Sequence, residues 1–287
     1  MTTRTIDADQ PSRTAIAVAR HRAAHQLIDA PLVFTDPLAL RVLPPKSRDA
    51  LEADPRSFEH RPFAAGLRAH LVARSRVAED ALARAVAAGV RQYVVLGAGL
   101  DTFSWRNPHP DLRVFEVDRP STQGLKRRVL AAGGLAEPPN ATFVPVDFER
   151  DRLDAALAAA GFSANEPAFF SWLGVVPYLT EPVIWSTLEW IARMGDGVAF
   201  DYGAPAPWWN LVVRAAARAL RARVAAVGEP FRTVMTPAHV ADGLRRSGFA
   251  AFEDLDRAAL VRRYFAGRRD GLAPGALGHV VVAGPRL

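Results

Sequence analysis

The sequence predicts an α/β fold, a doubly wound and mostly parallel sheet of seven strands with an N-terminal helical layer and a helical insertion after the fifth strand. Three observations carry that prediction. Five short apolar runs between residues 93 and 202 alternate with helical patterns, the signature of βαβ units. The runs are almost continuously apolar, as expected when helices cover both faces of a sheet. The first run feeds directly into Gly97-Ala98-Gly99, a tight strand-to-helix turn.

The elements follow in order. Arg13 to Leu27 reads as a helix with Ser12 as its cap. A Pro-punctuated stretch runs from Pro31 through Asp36-Pro37 to Pro44-Pro45. Gly66 to Ala88 is a long helix, because Leu67, Leu71, Ala78, Leu82 and Val86 recur at helical spacing and Gly89 follows at the C-terminal end. The strands are expected at 93–96, 114–118, 143–147, 168–173 and 198–202. Helices are expected between them at 122–132, 151–160 and 181–194. A further helix is read from Pro207 to Val227. Another runs from Thr236 to Ser247, with Thr236 as cap, Pro237 first and Gly248 ending it. Phe252 to Leu255 and His279 to Ala283 would close the sheet. No linker separates these pieces. The expected organisation is one domain: a helical layer over 1–89, a ligand-binding core over 90–203, a helical insertion over 204–236 and sheet completion over 237–287.

Composition narrows the function. With 287 residues, 49% hydrophobic and 23% charged, the chain belongs among ordinary globular proteins. It has no Cys, which excludes disulfides, thiolate metal sites and a Cys nucleophile. The net charge of +6 invites a nucleic-acid reading. Against it, 34 of the 36 basic residues are Arg (36 less Lys46 and Lys126), scattered among 30 carboxylates. No nucleic-acid partner is expected. Met1 to Asp9 has no apolar core of a secretory signal. The uncharged run Pro167–Thr180 is too short for a bilayer, leaving a cytoplasmic protein with no membrane segment as the expectation.

The chemistry concentrates after the strands. The dinucleotide pattern G-x-G-x-x-G would need glycine at 102, and Thr102 stands there, so a pyrophosphate is disfavoured. Asp118 ends the second strand, 21 residues after Gly97, where a carboxylate accepts from the two hydroxyls of a ribose. Asp147 ends the third strand and is placed for an exocyclic amine such as that of adenine. A helix cap is the competing reading of each acid alone. Together they point to an adenosine pocket.

The strings Gly97-Ala98-Gly99-Leu100-Asp101-Thr102 and Val114-Phe115-Glu116-Val117-Asp118-Arg119-Pro120 resemble the leucine carboxyl methyltransferase family, in its bacterial branch of S-adenosylmethionine-dependent enzymes. The resemblance continues through Phe34-x-Asp36-Pro37-x-Ala39, Arg74-Ser75-Arg76, Pro145-Val146-Asp147-Phe148 and Trp172 to Leu179. It implies a Rossmann-like methyltransferase with S-adenosylmethionine as cofactor. Gly97 and Gly99 would pass under the methionine part, Asp118 would take the ribose, and Asp147 with Phe148 the adenine. Arg74 would pair with the cofactor carboxylate, and Asp101 would lie near its amino end. The resemblance departs at Leu173, where many members carry Glu.

Methyl transfer from a sulfonium is an in-line displacement that chiefly requires positioning of the acceptor. No general base stands out. His21 and His25 have metal-pair spacing, but no third ligand accompanies them, and no metal is expected. Tyr178, after the fourth strand, matches a family Tyr near the acceptor and is the candidate catalytic residue. Tyr202 is a weaker candidate for the same rim. The resemblance implies that the insertion over 204–236 is a helical lid above the acceptor, in which Trp208 and Trp209 would line an acceptor pocket or pack in the lid core. Arg214, Arg218 and Arg221 share one helix face, either solvated or facing an acidic substrate. The expected activity is O-methylation of a small-molecule carboxylate or hydroxyl. A protein carboxyl methyltransferase, a non-enzymatic cofactor binder and a nicotinamide-dependent oxidoreductase are the alternatives.

Overall fold

The computed structural model describes residues 11–57, 63–148, 150–194, 197–226 and 228–285. Residues 1–10, where no secretory signal was expected, lie outside the described residues, as does Val227. In chain order the elements are α1 (Arg13–Ile28), α2 (Pro45–Ala53), α3 (Ala64–Ala87), β1 (Gln92–Leu96), α4 (Phe103–Arg106) and β2 (Arg113–Asp118). Next come α5 (Pro120–Ala132), β3 (Ala141–Pro145), α6 (Leu153–Ala159), β4 (Ala168–Trp172), α7 (Glu181–Arg193) and β5 (Gly197–Gly203). The chain finishes with α8 (Leu211–Ala226), α9 (Pro237–Ser247), β6 (Ala251–Leu255), α10 (Arg257–Leu260) and β7 (Gly278–Gly284).

The seven strands form one sheet in the order β3-β2-β1-β4-β5-β7-β6. β1 to β5 are parallel, and β7 enters antiparallel between β5 and β6. Strand alternation divides the core in two. Tyr93 and Val95 of β1 face a cluster completed by Ala69, Val72 and Val77 of α3. Val94 and Leu96 face the opposite cluster, closed by Ile184, Leu188 and Ile191 of α7 and by Val240 and Leu244 of α9. Each fully buried aliphatic side chain contributes about 1.5–3 kcal/mol, so both helical layers are held by burial rather than by helix propensity. A third cluster joins Ala19 and Ala23 of α1 and Leu51 of α2 to Leu130 of α5 and to Leu100, just beyond β1. The N-terminal layer is thereby packed against the loop that follows β1. Strand order reverses between β1 and β4, and a crevice opens at their C-terminal ends, the position where open α/β sheets bind ligands.

Four details differ from the sequence reading. β3 lies two residues earlier than expected, because its pairing with β2 ends at Asp118 opposite Pro145; Asp147 sits beyond the strand. The helix expected from Pro207 begins at Leu211. Asn210 caps it, its Oδ1 accepting from the Val213 amide at 3.0 Å, and Trp208-Trp209 occupy the preceding turn. The Pro-punctuated stretch contains α2, with Pro45 in its first turn. Asp256 caps the unforeseen α10 through the Ala259 amide at 2.7 Å.

Candidate active site

A cavity of about 590 Å³ opens at the C-terminal ends of β1, β2 and β4, under α1 and α3. Its floor is the loop after β1. Gly97 and Gly99 both have positive φ, 67° and 52°, which side chains rarely adopt. A Cβ at Gly97 would stand 2.2 Å from Val175 Cγ2, so only glycine lets this loop pass beneath the β4 loop. The Gly97 and Ala98 amides donate to the Val117 carbonyl at 2.8 and 3.0 Å, locking the turn to β2.

Asp118 is organised by backbone. Its Oδ2 accepts from the Gly99 amide at 2.6 Å and its Oδ1 from the Arg119 amide at 2.7 Å. Burial dominates and raises its pKa, with the two amides partly opposing the shift. Asp147 and Phe148 reach the same cavity from beyond β3, Phe148 packing near Trp172 with ring centroids 6.5 Å apart. The Asp147 carbonyl accepts from the Arg150 and Asp151 amides at 2.9 and 2.8 Å, while its side chain lines the cavity wall.

Arg74 of α3 projects from the opposite wall. Its Nη1 donates to Asp201 Oδ2 at 2.8 Å, and Asp201 Oδ1 accepts from the Gly174 amide. Burial opposes the Asp201 charge, but Arg74, His70 and that amide outweigh it and hold the carboxyl down to about 2. Asp201 of β5 thus fixes both Arg74 and the loop after β4. Sequence reading treated it only as a strand residue. Leu173, the departure from the family pattern, lines the cavity as part of the wall.

A second buried network carries the β1 loop. Asp36 accepts from Arg22 and, at 2.8 Å, from the Thr102 hydroxyl. Thr102 in turn accepts from Arg106 Nε at 2.9 Å. Arg106 also binds Glu79, whose pKa burial raises despite that partner. Asp101 Oδ1 accepts from the Phe103 amide at 2.7 Å and its Oδ2 lies 3.3 Å from Arg22 Nη1. Thr102 stands at the third-glycine position because its hydroxyl is a node here. Arg22, Asp36, Glu79 and Arg106 carried no role in the sequence reading; the only signal was Asp36 inside the Phe34-x-Asp36-Pro37 string.

Tyr178 ends a short turn, Val176–Tyr178, on the cavity rim. Burial, with Glu229 nearby, pushes its phenol up to about 12. Glu229 closes the rim over α1: its Oε2 accepts from the Ser12 hydroxyl at 3.2 Å, the Thr14 amide at 3.3 Å and the Thr14 hydroxyl.

A family model described as leucine carboxyl methyltransferase matches residues 15–192, which contain every lining residue of this cavity except Ser12, Thr14 and the 228–232 rim. The chain belongs to the leucine carboxyl methyltransferase family. It is thereby an S-adenosylmethionine-dependent methyltransferase. YktD of Bacillus subtilis, named as an enzyme of that kind, is 30% identical over 289 residues, covering 92% of this chain and 95% of YktD. A Frankia alni relative named likewise is 36% identical over 184 residues, 63% of this chain, and the match spans slightly less than two thirds (64%) of that relative. Among solved structures, a methyltransferase-like protein from Thermobifida fusca covers 98% of this chain and 97% of its own at TM-score 0.60 and 20% identity, which speaks to the fold.

The cavity of this family member fits S-adenosylmethionine. The cofactor has no phosphate, consistent with Thr102 in place of glycine. Gly97 and Gly99 line the cavity with backbone alone. Arg22, which lines the cavity, has a buried Nε with no hydrogen-bond partner among the described residues.

Gly97, Gly99, Asp101, Asp118, Asp147, Phe148, Arg74 and Tyr178 are brought together around this one cavity. Three other expected residues are not. Tyr202 lies in the sheet, buried, with its hydroxyl donating to Asp254 Oδ2 of β6 at 2.6 Å, because β5 pairs with β7 and turns that side chain away from the crevice. Trp208 and Trp209 point to solvent and touch no cavity wall. His25, read as one of a metal-spaced pair, bonds Asp29 Oδ2 at 2.7 Å and accepts from the Val33 and Phe34 amides.

Proposed function

We propose that this methyltransferase transfers a methyl group to an oxygen of a small-molecule acceptor, and that the oxygen is a carboxylate. S-adenosylmethionine supplies an electrophilic methyl on a sulfonium. Asp118 binds the ribose hydroxyls, Asp147 and Phe148 hold the adenine, and Arg74, braced by Asp201, binds the cofactor's carboxylate. Asp101 faces its amino end. The observation that carries the choice of acceptor is Tyr178. A phenol whose pKa is pushed up to about 12 keeps its proton at neutral pH, so it donates a hydrogen bond and does not act as base. No histidine lines the cavity among the described residues. A carboxylate needs no base, and a donor that orients it suffices. The Glu229 contacts to Ser12 and Thr14 close the rim and support a small acceptor over a protein C-terminus. A cytoplasmic setting completes the reading.

Transfer of labelled methyl to a panel of carboxylic acids, phenols and peptides tests it. Methyl esters release the label as methanol in mild alkali, whereas ethers keep it. Alkali-stable label, or label only on peptides, would overturn the carboxylate reading.

A further inference from the structure

The lid carries a surface that the catalytic cavity does not use. Trp208, Trp209, Leu211 and Val212 are 82%, 67%, 71% and 65% exposed, four large apolar side chains within five residues. They lead into α8, which no other helix or strand packs broadly against. Its half-buried side, Val213, Ala217, Leu220 and Val224, turns toward the body of the protein. Its outward side is apolar and small: Leu211, Ala215, Ala219, Ala222 and Ala226 follow one another at spacings of four and three, all exposed. Arg214, Arg218 and Arg221 form an exposed cationic row along one edge of that strip. From Tyr202 to Gly228 the sequence contains no acidic residue.

We propose that this segment is a peripheral docking surface for an anionic lipid bilayer. Two features together select that occupant. Exposed Trp and aliphatic side chains beside Arg match a helix lying in the headgroup region, its apolar strip inserted and its guanidinium groups at the phosphates. The uniform positive charge sets two copies of α8 against each other, so a second copy of this chain is disfavoured. Nucleic acid would use the Arg row but leave the Trp pair and the Ala strip unburied. Among the described residues no helix is long and apolar enough to cross a membrane, so the contact lies in the surface plane.

Vesicle flotation tests this with the whole chain. The probes are phosphatidylcholine vesicles with and without about one third phosphatidylglycerol. Binding is expected to the anionic vesicles, weakened by salt, with a blue shift of Trp emission. Trp208→Ser with Trp209→Ser should weaken it by roughly tenfold or more. Arg214→Glu with Arg218→Glu should weaken it by roughly 25-fold or more, at about fivefold per lost charge. Calorimetric binding of S-adenosylhomocysteine should be the same for both variants and the parent, showing that the fold is intact. The proposal is overturned by absence of anionic-vesicle binding, or by binding that survives both variants. A concentration-dependent dimer abolished by the Trp variant, or RNA binding without vesicle binding, overturns it as well.

Discussion

Replacing Asp118 by Ala separates cofactor recognition from folding. In the folded protein this carboxylate accepts two amide hydrogen bonds, from Gly99 at 2.6 Å and Arg119 at 2.7 Å, and retains acceptor capacity toward the cavity. Two stability effects oppose each other. Removing the side chain leaves the two amides short of a partner, at about 1–3 kcal/mol for a buried unsatisfied group. It also removes a carboxylate whose pKa burial raises, that is, a charge whose ionisation works against the folded state. A raised acid pKa means the folded protein binds its proton more tightly, so at neutral pH this group lowers stability relative to acidic pH. The net change in stability is therefore modest. Affinity has no such offset: lost hydrogen bonds to a charged group cost about 1.5–3 kcal/mol, or roughly 10- to 150-fold. Titration calorimetry with S-adenosylhomocysteine, beside thermal unfolding of the apoprotein, reads the two quantities independently. NAD should not bind either protein. Parental affinity in Asp118→Ala, or tight NAD binding by the parent, would refute the assignment of Asp118 to the ribose.

Tyr178→Phe should leave S-adenosylhomocysteine affinity unchanged and slow methyl transfer by about 5- to 30-fold, the worth of one orienting hydrogen bond; a fully active variant makes Tyr178 a packing residue. Asp201→Asn strands the Arg74 guanidinium and should cost about 3–5 kcal/mol in denaturant unfolding. The parent's Asp201 contribution is present above the ordinary carboxyl pKa of about 4 and is lost as pH falls toward about 2, so the parent–variant gap in unfolding free energy should narrow over that interval. A gap that does not depend on pH would contradict the ion-pair account. Methyl transfer should proceed at an unchanged rate in a strong chelator; a loss restored only by a divalent ion would contradict it.

The parts of the fold that were legible in the sequence are those whose signal is local and apolar. β1, β2, β4 and β5 are runs buried on both faces over most of their length, while the edge strand β3 is mostly half-buried, and α9 carried its own punctuation in Thr236, Pro237 and Gly248. Asp118 was legible because glycine turn and strand end are separated by a distance that the fold imposes. Asp201 and Glu229 were not, because their meaning is in partners far along the chain: Arg74 is 127 residues from Asp201, and Thr14 is 215 from Glu229. The Trp208-Trp209 pair misled for the converse reason. Aromatic residues in a lid ordinarily mean a buried wall, and nothing in a single sequence distinguishes an apolar side chain facing a cavity from one facing solvent.

Thr102 shows how the two halves of the site depend on each other. In a dinucleotide-binding turn the third glycine lets helix and strand approach closely. Here the position is occupied by a buried hydroxyl shared among Asp36, Arg22 and Arg106. Two of those four side chains come from outside the Gly97–Thr102 turn and its helix, Arg22 on α1 and Asp36 on the loop before α2, and Arg106 of that helix is tied in turn to Glu79 of α3. The helical layer is therefore part of the cofactor loop's support and not a covering added to a finished core. The charges in this network are buried and mutually neutralised, so removing any one partner would strand another. That dependence explains why the resemblance to the family extends into the Phe34-x-Asp36-Pro37 string, none of whose residues lines the cavity. The string supplies the carboxylate that holds Thr102 and Arg22 in place, and through them the turn on which Gly97 and Gly99 sit.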